Sequence, residues 1–128
     1  MTGLPAARTA GPAADGVGDD PLDRAVWRLR SRGCWEDAAA LLAPHTAAHP
    51  TAALRRAALL VERCMFTGAG WAEAEDALRY AEARAGTDDE RGDAACERGH
   101  LAYAATVLGV RDRADEARAA LGRAAALL

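Results

Sequence analysis

Apolar residues recur at three- and four-residue spacing along most of the chain, the period of a helix with one buried face. The first such stretch opens at Asp20-Pro21. Aspartate suits a helix cap, and proline suits the first helical position, where a missing N–H costs nothing. Leu22, Ala25, Val26 and Leu29 then share one face, and Gly33 predicts the end. A second helix starts near Trp35 and carries Ala38, Leu41, Leu42 and His45, with Pro44 placed to kink or shorten it. Pro50 closes that segment and opens a third helix over about Thr51–Phe66, striped by Leu54, Ala57, Leu60, Val61 and Cys64.

Thr67-Gly68-Ala69-Gly70 breaks the third helix. A fourth runs from Trp71 to Ala85, with Ala74, Leu78 and Ala81 inward and Glu75/Arg79 paired outward at i,i+4. Thr87-Asp88-Asp89-Glu90 has the form of a capping box, threonine at the cap and glutamate three residues on. It starts a long fifth helix ending near Leu108-Gly109. Asp112 then caps a sixth that carries Ala114, Ala117, Leu121 and Ala124.

Composition supports this reading. Hydrophobic residues make up 51% and aromatics only 5%, alanine dominates the apolar class, and there is no isoleucine. Alanine is the strongest helix former, and strand-favouring residues are sparse. The predicted class is all-α, about six antiparallel helices. Residues 1–19 are rich in Gly, Pro and Ala and carry too little apolar surface to offset their ordering entropy, so disorder is expected there. One domain over 20–128 follows.

The net charge is −3, with acidic and basic residues interleaved, which argues against a surface that tracks phosphates. No nucleic-acid partner is expected. The basic residues are all arginine, a usage that points to a GC-rich genome of actinobacterial kind. Cys34, Cys64 and Cys96 are widely spaced and odd in number, which suits reduced, buried thiols in the cytoplasm. Residues 1–19 lack the apolar core of a secretory leader, and no run is long enough to span a bilayer.

The even-numbered helices superpose. Trp35-x2-Ala38-x3-Leu42 matches Trp71-x2-Ala74-x3-Leu78 and then Ala114-x2-Ala117-x3-Leu121, followed by His45, Ala81 and Ala124. The odd helices align as Leu22, Ala25, Val26, Leu29; Ala57, Leu60, Val61, Cys64; and Arg98, Leu101, Ala102, Ala105. Trp35 and Trp71 are 36 residues apart, Trp71 and Ala114 are 43. This resembles the tetratricopeptide repeat, a helix–turn–helix unit of about 34 residues. Repeats fall at about 20–50, 51–86 and 87–128. The first helices lack the usual Trp, Gly and Tyr, and repeat three carries extra residues at its turn.

The resemblance implies a short right-handed superhelix that binds a peptide or partner domain along the concave face lined by its first helices. It places Trp27, Glu62 and Tyr103 in one column of that face and Arg30, Met65 and Thr106 in the next. Aromatics and arginine are enriched in interface hot spots, and Arg30 suits a carboxylate. Trp27 also suits a core role, covering the first helix against the second. Trp35 and Trp71 are expected in the core. The sixth helix ends in Ala124-Ala125-Ala126-Leu127-Leu128 without a polar cap, and repeat arrays need one. That predicts either a piece of a larger repeat-bearing regulator or a homodimer through this helix.

Chemical motifs are weak. Gly68-Ala69-Gly70 lacks the third small residue of a dinucleotide turn and follows a helix, not a strand. His45/His49 and Cys96/His100 each share a helix face, but metal sites need three or four converging ligands. Ser31 sits in no nucleophile elbow. A Cys96–His100 nucleophile pair is conceivable, with Asp93 and Glu97 as the nearby carboxylates. No cofactor, metal or catalytic residue is expected, and an interaction scaffold is the favoured class.

Overall fold

The computed structural model describes residues 20–128, so the expectation for residues 1–19 lies outside the described residues. Among the described residues six α-helices follow one another: α1 (Pro21–Ser31), α2 (Trp35–Leu42), α3 (Pro50–Thr67), α4 (Trp71–Arg84), α5 (Asp88–Val107) and α6 (Ala114–Leu127). No strand occurs among the described residues, and the all-α class stands. No described helix is long and apolar enough to cross a membrane.

Local chemistry sets the boundaries. Asp20 caps α1, its carboxylate accepting the Leu22 N–H at 3.3 Å, with Pro21 next in line. At the other end Gly33 takes φ 76°, Gly33 N–H donates to Arg30 O and Cys34 N–H donates to Leu29 O. That is the two-bond Schellman closure, which needs a left-handed residue. The end of α5 repeats it at Gly109, with Val110 N–H on Ala105 O. Pro44 ends α2 in a 3-10 turn, Ala43–His45, as its ring cannot continue the helix. The capping box at Thr87 and Glu90 is complete.

The long α3 is the axis of the molecule. It packs on α2, α4 and α5, while α1 packs on α2, α4 on α5, and α5 on α6. Its face of Ala57, Leu60, Val61 and Cys64 is fully buried. The even helices begin at the residues that align: Trp35, Trp71 and Ala114. Ala38, Ala74 and Ala117, three residues on, are all buried, at 0%, 0% and 5% exposure. A methyl group is all that such crossings admit. Helix backbones can come close only where side chains are this small.

Several expectations need correction. Leu42 and Leu78 are buried, but Leu121 is 40% exposed, and so is Leu41 at 37%. Trp35 and Trp71 pack against the core without being engulfed by it. The Trp71 indole N–H donates to Gly68 O at 3.1 Å, which holds it at the turn. Cys64 is buried, whereas Cys34 and Cys96 are only half-buried, and all three thiols are free. Asp112 lies one residue before the cap of α6, and its carboxylate accepts the Ala114 N–H at 3.2 Å. Glu75 does pair with Arg79 at 2.9 Å, but it faces inward enough to hold Arg98 of α5 as well.

Two buried arginines tie the helices together. Arg63 of α3 binds Glu36 of α2 and, at 2.6 Å, Glu73 of α4. Arg98 of α5 binds Glu75 and Glu82 of α4 at 2.7 and 2.8 Å. Each makes a fork of charge-assisted bonds that reaches the helix before its own, and Arg63 also ties α3 to the helix that follows.

Candidate functional site

A cleft of about 460 Å³ opens between α1, α3 and α5. Trp27 and Arg30 come from α1, one helical turn apart; Leu59, Glu62, Met65 and Phe66 come from α3; Glu97 and His100 come from α5. Trp27 is 38% exposed and Met65 39%, so both present apolar surface to solvent.

Polar contacts fix one wall. Arg30 donates to both oxygens of Glu62, Nε at 2.9 Å and Nη2 at 2.8 Å, and the Trp35 indole N–H donates to Glu62 Oε1 at 2.8 Å. The Arg30 bonds hold the Glu62 carboxyl below its usual range, against burial and with help from Trp35. The Trp35 ring also stacks on Phe66, centroids 5.7 Å apart and planes 6° from parallel. Arg30, expected to await a carboxylate from outside, already grips one inside.

The opposite wall differs. Glu97 meets His100 Nδ1 at 3.5 Å. Burial pushes the Glu97 carboxyl above its usual range; His100 offsets part of that, and Glu62 and Asp93 add to it. Cys96 Sγ lies 3.7 Å from His100 Nε2. Burial, with Glu97 and Asp93, pushes this thiol up too, so it is held as the neutral thiol, the weaker nucleophile. No group of three or more potential metal-ligating side chains converges among the described residues.

Trp27, Arg30, Glu62 and Met65 thus come together in the cleft, while Tyr103 and Thr106 do not line it. Tyr103 lies farther along α5 and is 58% exposed. Thr106 serves its own helix end. Its hydroxyl donates to Ala102 O and accepts the Arg113 N–H, each at 2.9 Å, closing the turn into α6. The places expected for them are taken by Glu97 and His100, which the sequence offered only as company for Cys96 and not as part of this face. The reason is register. Trp27, Glu62 and Glu97 are spaced by 35 residues, and so are Arg30, Met65 and His100. Aligning the helices on alanines shifts the third hairpin by six residues. A usable signal is present in polar residues: Glu62-Arg63 recurs as Glu97-Arg98, and each arginine bridges to the helix before its own, Arg63 to Glu36 of α2 and Arg98 to Glu75 of α4.

Comparison with protein families, curated proteins and solved structures found no match for this chain.

Proposed function

We propose that the chain is a protein-interaction scaffold of tetratricopeptide type, which docks a peptide or partner domain in the cleft between α1, α3 and α5. The observation that carries this reading is the 35-residue recurrence of the cleft positions, Trp27/Glu62/Glu97 and Arg30/Met65/His100. Successive hairpins contribute residues at equivalent positions, though of different chemistry, to this surface. Its chemistry suits a chain segment: exposed apolar surface from Trp27, Met65 and Phe66 beside fixed polar groups. On this reading the protein works by binding, in the cytoplasm, without a cofactor.

The test is affinity capture by the full chain, compared with Trp27→Ala/Met65→Ala and with the control Arg118→Ala on α6. Partners lost only from the cleft variant support the reading. Partners retained by a folded cleft variant contradict it.

A second reading is self-association through α6, as a structural segment or part of a larger regulator. Exposed Leu121 and Leu128 favour it, at 40% and 62% exposure. Sedimentation of wild type against Leu121→Ser separates the two, because only the second reading ties assembly to that side chain.

A further inference from the structure

The cleft contains one filled arginine slot and one vacant equivalent. In the first pair of hairpins, Arg30 of α1 reaches across to Glu62 of α3 and binds it through both oxygens. Moving each residue one 35-residue period along the chain gives Met65 of α3 and Glu97 of α5. Met65 has no cation to offer. Glu97 therefore faces the cleft with His100 as its ion-pair partner, at 3.5 Å, and its side chain is only 22% exposed. Other half-buried carboxylates are met by arginine: Glu62 by Arg30, Asp23 by Arg55, Glu75 and Glu82 by Arg98. The remaining cleft cation, Arg55, is engaged with Asp23 at 2.6 Å.

We infer that Glu97 is the recognition point for an arginine side chain carried by an apolar segment of the partner, seated as Arg30 is seated on Glu62. This rests on the scaffold reading and names the chemistry of its ligand. A guanidinium fits better than a lysine ammonium, since its planar fork matches a carboxylate and lies flat against aromatic and thioether side chains. Trp27, Met65 and Phe66 supply such surfaces in the same cleft. The elevated Glu97 carboxyl fits the same picture, as a buried acid without a strong cationic partner holds its proton more tightly. An incoming guanidinium supplies the missing charge.

The probes are acetyl-Gly-Leu-Arg-Leu-Gly-amide and its citrulline counterpart, which has the same shape but no charge. Binding to the full-length chain is followed at neutral pH through the Trp27 indole and Met65 methyl resonances. The arginine probe is expected to bind at least tenfold more tightly than the citrulline probe. Glu97→Gln should abolish the difference. Met65→Arg, read through the Trp27 indole alone, should abolish it too, because it installs a resident arginine over Glu97; at a position 39% exposed the longer side chain is expected to be accommodated. Equal affinity of the two probes for wild type overturns the inference, as does an undiminished arginine preference in either variant. Those results leave peptide docking itself to the capture experiment, which fails or succeeds on Trp27 and Met65. No shift by either probe at millimolar concentration overturns the inference as well.

Discussion

Arg98 Nη1 donates to both carboxylate oxygens of Glu75, at 2.7 and 2.8 Å, while its Nε and Nη2 hold Glu82 at 3.1 and 2.8 Å. One guanidinium thereby ties the start and the end of one face of α4 to the middle of α5. Burial opposes the Arg98 charge, but Glu82 and Glu75 outweigh it and raise its pKa. Removing one member of such a cluster leaves the others desolvated and uncompensated. Arg98→Ala is expected to cost about 3 kcal/mol. Arg28, one period earlier than Arg63, is exposed, and Arg28→Ala is expected to stay within about 0.5 kcal/mol. Urea unfolding of both variants checks the contrast; equal midpoints would refute the role given to Arg98.

Glycine decides how closely α5 and α6 approach. A Cβ at Gly99 would lie 2.6 Å from Leu121 Cγ and Cδ2 and 3.4 Å from the Leu121 backbone N. At Gly92 it would lie 2.6 Å from Leu128 Cγ and 3.2 Å from Leu127 Cβ. Alanine favours a helix interior over glycine by about 1 kcal/mol, so the outcome turns on whether the neighbour can yield. Gly99→Ala is expected to destabilise by about 1–2 kcal/mol, with partial recovery in Gly99→Ala/Leu121→Ala. Gly92→Ala is expected to cost less than Gly99→Ala, because the exposed Leu128 side chain can turn aside and Leu127 Cβ must give only a few tenths of an ångström. Thermal unfolding of the three variants distinguishes these outcomes, and a stabilising Gly99→Ala would show that the helices stand farther apart.

Acid should weaken the fold through specific carboxylates. Arg30 holds Glu62 low and Arg113 holds Glu116 low, each outweighing burial; at Glu75 burial opposes Arg98 and Arg79, which prevail. A carboxyl lower in the folded chain than unfolded stabilises above the unfolded value of about 4.5 and loses that contribution as pH falls below it. Glu97 runs the other way: its folded value is raised, so its ionisation subtracts stability as pH climbs from about 4.5. Glu97→Gln is therefore expected to raise the urea midpoint at pH 7 and leave it nearly unchanged at pH 4. A lowered midpoint at pH 7 would contradict the burial assigned to this carboxyl.

The two ring positions Trp71 and Trp27 should respond differently to truncation. Trp71 packs on the core and bonds Gly68 O, whereas Trp27 is 38% exposed in the cleft. Trp71→Ala is expected to cost about 3 kcal/mol, the low end for a large aromatic because the site is only partly enclosed. Trp27→Ala should cost about 1 kcal/mol, in the ordinary range for a point substitution. Equal losses in denaturant titrations would place Trp27 in the core after all.

Helix positions were legible because their signals are local. Asp20-Pro21, Gly33, Pro44, Thr87 with Glu90, and Gly109 each act within a turn of where they stand, and each does so in the structure. The cleft was half legible: α1 and α3 supplied the expected Trp27, Arg30, Glu62 and Met65. The α5 contribution was not, for a physical reason. That helix buries Gly92, Ala94, Ala95, Arg98, Gly99, Leu101, Ala102, Ala104 and Ala105 around much of its circumference. A column of alanines fits several registers equally well when both neighbours are close. Only the charged pair Glu97-Arg98, echoing Glu62-Arg63, marks the phase. The 3.7 Å Cys96–His100 approach was also foreseeable from i,i+4 spacing, but the elevated thiol was not, as it depends on burial.

The most direct measurement is amide hydrogen exchange of the full chain with and without a captured partner. Slowed exchange is expected around Trp27 and Arg30 on α1, Glu62 to Phe66 on α3, and Glu97 to His100 on α5, with α2, α4 and α6 unchanged. Protection concentrated on α2, α4 or α6, with those three cleft segments exchanging as in the free protein, would contradict the account.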